Sequence, residues 1–204
     1  MVPMSSTETQ GVYRPEERRM LLGIAAQSIE HGLNQGAPLE PDPQEYPAAL
    51  QADRATFVTL QIDGELRGCI GVLEAIRPLV VDVARNAYAA AFEDPRFPPL
   101  TRAELPRLDI HLSVLSPSEP MHFRSESDLL DQIRPGIDGL ILEDRGRRGT
   151  FLPSVWEQLP NPADFFEHLR HKAGLPSRYW SETLEVSRYS TESFGAPIAE
   201  TFSG

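Results

Sequence analysis

A cysteine and an arginine lie two residues apart in a short strand-like segment, and this pair is suited to thiol chemistry. Cys69 is the single cysteine among 204 residues, and Arg67 precedes it in the hexamer LRGCIG, residues 66–71. Side chains two apart on a regular strand project to the same face, and a neighbouring cation favours the nucleophilic thiolate. Free cysteines are usually small buried hydrophobes, so a structural role, a reactive thiol and a binding role all stay open.

The other residues of the hexamer point to backbone contact or to anion binding. A buried arginine needs a carboxylate or an anionic ligand, and Glu74, just past the hexamer, is the expected internal partner of Arg67. Glycines weaken a strand, so Gly68 and Gly71 indicate a place where another backbone or a ligand comes close. We therefore group Arg67, Gly68, Ile70, Gly71 and Glu74 as candidate ligand-binding residues.

A hairpin should carry the hexamer. The segment at residues 56–62 is rich in β-branched and apolar residues, and Asp63-Gly64 after it predicts a two-residue turn. An unbroken register then places Val58 opposite Cys69. That register puts Val58 and Cys69 on a face suited to a cleft wall, and it predicts that the face with Phe57 is core.

The rest of the chain predicts an α+β fold. Strands come mostly in hairpins, which favours antiparallel sheets flanked by helices. The predicted helices cover residues 14–32, 78–92, 125–133 and 161–173. Predicted strands cover 109–115, 138–143, 149–152 and 184–189, and a polar tail follows the last one.

Composition limits the function classes. The net charge of −11 argues against nucleic acid as the main partner and against an anionic membrane surface. A single cysteine excludes an internal disulfide, and with no 18-residue apolar run the expected location is cytoplasmic. His168 and His171 lie three apart on a predicted helix without a third ligand, so we predict surface histidines and no metal site. No cofactor is indicated.

These motifs resemble the AMMECR domain family, whose bacterial and archaeal members are labelled AmmeMemoRadiSam system protein A. The resemblance covers about residues 57–180 and begins with the hexamer, which is highly specific to that family. The further matching blocks follow in the same order, at residues 94–100, 113–116, 138–140, 151–153 and 172–176.

The resemblance implies two subdomains with a cleft between them. The larger would contain both termini, as residues 12–72 plus 137–200, and the smaller would be inserted as residues 73–136. Residues 1–11 read as a flexible tail. Apart from the resemblance, Asp94 and Arg96 of the proline-rich loop are candidates to line such a cleft. The alternative is that Arg96 pairs with a nearby carboxylate and pins the loop. The family association also implies a Memo-like protein and a radical SAM protein as partners.

Two functional classes stay open at this point. The favoured one is a protein that binds a ligand or a protein partner through the hexamer. The alternative is an enzyme or group carrier in which Cys69 is the nucleophile, Arg67 binds an anionic group, and His111 or Glu74 moves protons. A purely structural role for the hexamer is the third interpretation.

Overall fold

The computed structural model describes residues 12–201, which form two compact units. The first unit extends to Val114 and resumes at Glu192, and the second is Leu115–Thr191. The first unit therefore contains both ends of the described chain. The segment 1–11, predicted to be a flexible tail, lies outside the described residues.

The first unit combines two long helices with one sheet. Its helices are α1 (Pro15–Gln35), the short α2 (Ala48–Gln51), α3 (Leu79–Phe92) and the short α6 (Ile198–Thr201). Its strands are β1 (Thr56–Ile62), β2 (Glu65–Gly71), β3 (Leu108–Leu115) and β8 (Thr191–Pro197), in the order β2-β1-β3-β8. Strand β2, which carries the hexamer, is therefore an edge strand.

The expected insertion at 73–136 has the wrong boundaries. Helix α3 and strand β3 belong to the first unit, because β3 pairs antiparallel with β1 from Leu108 to Val114 and α3 packs against both β1 and β2. Strand β8 was also missed, since its residues were predicted to be a polar tail. Its exposed and half-buried residues give no apolar alternation from which a strand could be recognised.

The core of the first unit lies between the helices and one face of the sheet. Val58 and Leu60 of β1 and Ile110 and Leu112 of β3 are fully buried there, together with residues of α1 and α3. Phe57, by contrast, is only partly buried. The prediction that the Phe57 face is core is therefore wrong, and the opposite face of β1 packs against the helices.

The second unit is a smaller α+β body. Its strands are β4 (Glu119–Pro120), β5 (Gly139–Asp144), β6 (Arg147–Phe151) and β7 (Glu185–Tyr189), in the order β4-β7-β5-β6. Helices α4 (Glu126–Gln132) and α5 (Pro162–Lys172) complete it, and Phe165 and Phe166 of α5 are fully buried in its core. The two sheets confirm the predicted α+β class. Among residues 12–201, no helix is both long and apolar enough to cross a bilayer.

Candidate functional site

A β-bulge in β2 decides where the two chemical side chains of the hexamer point. Gln61 pairs with Leu66 and Leu60 pairs with Gly68, which leaves Arg67 without a partner on β1. Beyond the bulge, Thr59 rather than Val58 lies opposite Cys69. The predicted shared face of Arg67 and Cys69 is therefore wrong. Arg67 and Gly68 are buried, whereas Cys69 is half-buried.

Arg67 is bound by groups of its own unit. Its Nε donates to Glu104 Oε1 at 2.8 Å, and its Nη2 donates to the carbonyl oxygen of Pro98 at 2.9 Å and to Glu104 Oε2 at 3.3 Å. Glu104, and not Glu74, is thus the carboxylate partner. Hydrogen bonds from Arg67 are the largest cause that lowers the pKa of Glu104 to about 2. Nη1 of Arg67 is buried and has no hydrogen-bond partner in the described chain.

Asp94 occupies the free edge of β2 beside the cysteine. Its Oδ2 accepts a hydrogen bond from the backbone N–H of Cys69 at 2.8 Å, and its Oδ1 accepts one from the backbone N–H of Arg96 at 3.0 Å. An edge strand leaves such N–H groups unpaired, so the carboxylate replaces the missing neighbour strand at this residue. The Arg96 guanidinium is the largest cause that holds the pKa of Asp94 far below its ordinary value.

Arg96 is held flat against the same carboxylate. Its Nε donates to Asp94 Oδ1 at 2.9 Å and its Nη2 donates to Oδ2 at 2.7 Å, a two-point contact that fixes the plane of the guanidinium. Nη2 also donates to the carbonyl oxygen of Cys69 at 3.2 Å. Asp94 is the main cause that raises the pKa of Arg96, and the Cys69 side chain raises it further.

The glycines of the hexamer are explained by close packing within the first unit. A Cβ at Gly68 would lie 2.0 Å from the carbonyl oxygen of Ala90 in α3, and a Cβ at Gly71 would lie 2.3 Å from the ring of Phe57. Ile70 pairs with Val58 and packs against the helical core. Protein atoms therefore already fill the space that was expected to receive a ligand at Gly68, Ile70 and Gly71.

The face of the sheet away from the helices carries Cys69, Thr59 and His111 in one cross-strand row. Thr59 lies between the other two, and its hydroxyl donates to Cys69 Sγ at 3.3 Å. Cys69 and His111 are separated by two strand spacings, roughly 10 Å. The His111 ring lies against β8, where a Cβ at Gly195 would come 2.4 Å from Nδ1. His111 is thus not placed to act on the thiol directly.

The other candidate residues of the sequence lie at the protein surface. Glu74 is exposed, and the carboxylate that binds Arg67 is that of Glu104. His168 and His171 are exposed on α5. No group of three or more His, Cys, Asp or Glu side chains within residues 12–201 is arranged to hold a metal ion.

Sequence reasoning missed two residues of the site, Thr59 and Glu104. Thr59 was assigned to the core face because the bulge is not visible in the residue pattern of β2. Glu104 lies 37 residues beyond Arg67, and only the path of the chain after α3 brings the two together. No local motif signals either contact.

The fold and site define a class of protein. It is an α+β protein of two units, each with an antiparallel sheet, and a thiol and an arginine–aspartate pair lie at the edge of the first sheet. A model of the AMMECR1 family matches residues 22–194. The chain belongs to the AMMECR1 family, which confirms the resemblance drawn from the hexamer and the later blocks.

Related proteins cover nearly the whole chain. A protein from Methanothermobacter thermautotrophicus is 38% identical over 181 residues, covering 88% of this chain and 94% of the relative. A protein from Thermotoga maritima is 37% identical over 173 residues, covering 83% and 94%. The crystal structure of the uncharacterized protein PH0010 from Pyrococcus horikoshii aligns with a TM-score of 0.75 at 34% identity, covering 87% of this chain and 90% of that one.

Proposed function

We propose that this protein binds a ligand or a protein partner through the edge of its first sheet, at a surface formed by Cys69, Thr59, Asp94 and Arg96. We call this surface the Cys69 site. The observation that carries the proposal is the position of Arg96: its guanidinium is fixed by Asp94 beside a half-buried thiol, and its side chain is half exposed. A cation held in a fixed orientation at the surface is suited to recognition.

Arg67 is already bound within the protein, which leaves Arg96 as the arginine available for recognition at this surface. Arg67 was the expected anion-binding group, but two of its nitrogens are bound to Glu104 and Pro98 and its side chain is buried. Arg96 is the arginine of this segment whose side chain reaches solvent. The hexamer thus contributes to the Cys69 site through Cys69 itself, and Arg67 holds the loop that follows α3.

The same geometry favours binding over catalysis. A thiol nucleophile is ordinarily activated by a base within hydrogen-bond reach. His111 is two strands away, and the Thr59 hydroxyl that contacts Cys69 Sγ donates a hydrogen bond and takes no proton. Arg96 and Thr59 would both stabilise a thiolate, so an enzyme or group carrier that uses Cys69 as nucleophile is the second candidate.

Alkylation of Cys69 by iodoacetamide in the native protein tests both candidates. With one cysteine in the chain, the modified residue is unambiguous. The binding proposal predicts that native Cys69 reacts at neutral pH no faster than the same cysteine in the urea-unfolded protein. A native rate well above the unfolded rate would show an activated thiol and favour the enzyme. If Cys69 reacts only after unfolding, the Cys69 site is not a surface and the proposal is wrong.

The family association adds a proposal about partners. We propose that a Memo-like protein and a radical SAM protein from the same genome contact this chain at the Cys69 site. Analytical gel filtration of the purified proteins, with unmodified and with alkylated Cys69, measures this. Co-elution that alkylation abolishes is the expected result, and separate elution of unmodified proteins contradicts the proposal.

A further inference from the structure

We infer that the Cys69 site selects ligands that carry a carboxylate group, and that Asp94 is the residue that positions Arg96 to recognise it. The inference rests on the proposed function and adds the chemical class of the ligand. It depends on the direction in which the arginine–aspartate pair faces, on the one nitrogen of Arg96 to which residues 12–201 give no hydrogen-bond partner, and on the net charge of the chain.

The pair presents its positive end to solvent. The Asp94 side chain is 2% exposed, whereas the Arg96 side chain is 54% exposed. The negative charge of the carboxylate is further engaged by the backbone N–H groups of Cys69 and Arg96. An approaching molecule therefore meets the guanidinium and not the carboxylate, although the pair as a whole is neutral.

One guanidinium nitrogen of Arg96 is left to bind a ligand. Nε and Nη2 are both bound to Asp94, and no residue of the described chain contacts Nη1 by a hydrogen bond. Because the contact with Asp94 already fixes the guanidinium plane, little conformational freedom is lost when Nη1 binds an anion.

A carboxylate fits the available charge better than a phosphate. The exposed cation is a single charge whose counter-ion lies directly behind it, in a chain of net charge −11. A dianion would be repelled by that background more strongly than a monoanion. The guanidinium carbons of Arg67 and Arg96 lie 5.9 and 5.6 Å from the centroid of the Phe97 ring, and Nη1 of Arg67 is buried with no hydrogen-bond partner among residues 12–201.

Two alkylating reagents of almost equal size test the inference. Iodoacetate carries a carboxylate and iodoacetamide is neutral, and both modify the same sulfur. We would measure the ratio of their rate constants for native Cys69 and divide it by the same ratio for the urea-unfolded protein. We expect this normalised ratio to be about three to five, which is the size of effect that an exposed charge pair produces. A value of one or below overturns the inference.

Variants assign the preference to its residues. Arg96→Gln should bring the ratio down to about one. Asp94→Asn leaves Arg96 charged but no longer held, so a positioning role for Asp94 predicts a lower ratio even though a negative charge is removed. A raised ratio in Asp94→Asn would contradict the positioning role. Arg107→Gln is the matched control, since Arg107 is equally exposed, is paired with Asp63 in the same unit and changes the net charge by the same amount. An unchanged ratio in Arg96→Gln, or an equal loss in Arg107→Gln, contradicts the inference.

The preference can also be tested without any substitution, by measuring it in the natural sequence at increasing salt concentration. The preference for iodoacetate should fall toward one as the salt concentration rises to 1 M, because exposed charges are then screened. A preference that salt does not change contradicts a role for Arg96. If iodoacetamide also fails to react with native protein, the proposed function is wrong. If iodoacetamide reacts normally and no preference is seen, the carboxylate inference alone fails.

Discussion

Two arginine–carboxylate pairs have their guanidinium groups within 6 Å of the Phe97 ring centroid, and their burial is opposite. In the Arg67–Glu104 pair the arginine side chain is 11% exposed and the carboxylate 27%. In the Arg96–Asp94 pair the arginine is 54% exposed and the carboxylate 2%. In the first pair the arginine is the buried member, and in the second pair the arginine is the exposed member.

This difference separates a structural arginine from one that can bind a ligand. Arg67 donates its hydrogen bonds to Glu104 and Pro98 in the loop after α3, and Glu104 is the more exposed member of the pair. Arg96 is anchored by a buried carboxylate, and one of its guanidinium nitrogens has no hydrogen-bond partner in the part of the chain that the structure describes. Removal of the more exposed member should cost most in each pair, because it leaves a buried charge without its partner.

Glu104→Ala should therefore be the most destabilising change in either pair. It leaves the Arg67 guanidinium buried with only the Pro98 carbonyl as acceptor, and we expect a loss of about 3 kcal/mol in the free energy of unfolding. Urea unfolding followed by circular dichroism measures it. Asp63→Ala is the control, since both members of the Asp63–Arg107 pair are exposed and the expected loss is below about 0.5 kcal/mol. Equal losses in the two variants would contradict the structural role of Arg67.

The Arg67–Glu104 pair should also make the free energy of unfolding depend on pH in the acid range, by an amount of comparable size. The pKa of Glu104 is lowered from 4.5 to about 2 in the folded protein, mainly by Arg67. A lowered folded pKa stabilises the protein above the unfolded pKa, and that stabilisation is lost as the pH falls through the folded pKa. The unfolding free energy of the natural sequence should thus drop by up to roughly 3 kcal/mol between pH 4.5 and pH 2 through this residue. In Glu104→Gln this part of the drop should be missing, and parallel pH profiles for the two proteins would contradict it.

The sequence predicted the elements of this region better than their contacts. The hairpin, helix α3 and strand β3 follow from apolar periodicity and from the Asp63-Gly64 turn, and all three are present within a residue or two. Periodicity depends on an unbroken alternation, and the bulge at Arg67 breaks it. Because of this one extra residue, Cys69 lies opposite Thr59 instead of Val58, and its side chain no longer shares a face with Arg67.

The partners of the two arginines show a second limit. Arg96 and Asp94 are two residues apart, and one interpretation of the sequence already paired Arg96 with a nearby carboxylate, although it did not name Asp94. Arg67 and Glu104 are distant in sequence, and nothing in the residues around Glu104 marks it as a partner. Contacts within a loop can be predicted from sequence, whereas contacts between a strand edge and a distant loop depend on the fold.

Arg96→Ala should cost less than Glu104→Ala, at about 2 kcal/mol. The buried Asp94 carboxylate loses its guanidinium partner but keeps the backbone N–H groups of Cys69 and Arg96 as donors. Urea unfolding measures the loss, and the double variant Asp94→Asn/Arg96→Ala is the control. The asparagine removes the buried charge but accepts only one of the two backbone N–H groups, so the double variant should be no less stable than Arg96→Ala. If it is less stable, the buried charge of Asp94 is not the cause of the loss.

Arg67→Met should have the smallest effect of the changes within these two pairs, about 1 kcal/mol, because burying an apolar side chain in place of a charge offsets much of the lost attraction to Glu104. Methionine keeps most of the apolar stem of the side chain, and the released Glu104 carboxylate can take up water and keep its hydrogen bonds from Thr101. Unfolding of the single variants and of Arg67→Met/Glu104→Ala forms a double-mutant cycle. The double variant should be close to Arg67→Met and more stable than Glu104→Ala, since no buried charge is left unpaired. A double variant as unstable as the sum of the two single variants would mean that the pair acts only through packing, and the contrast between Arg67 and Arg96 would then lose its electrostatic basis.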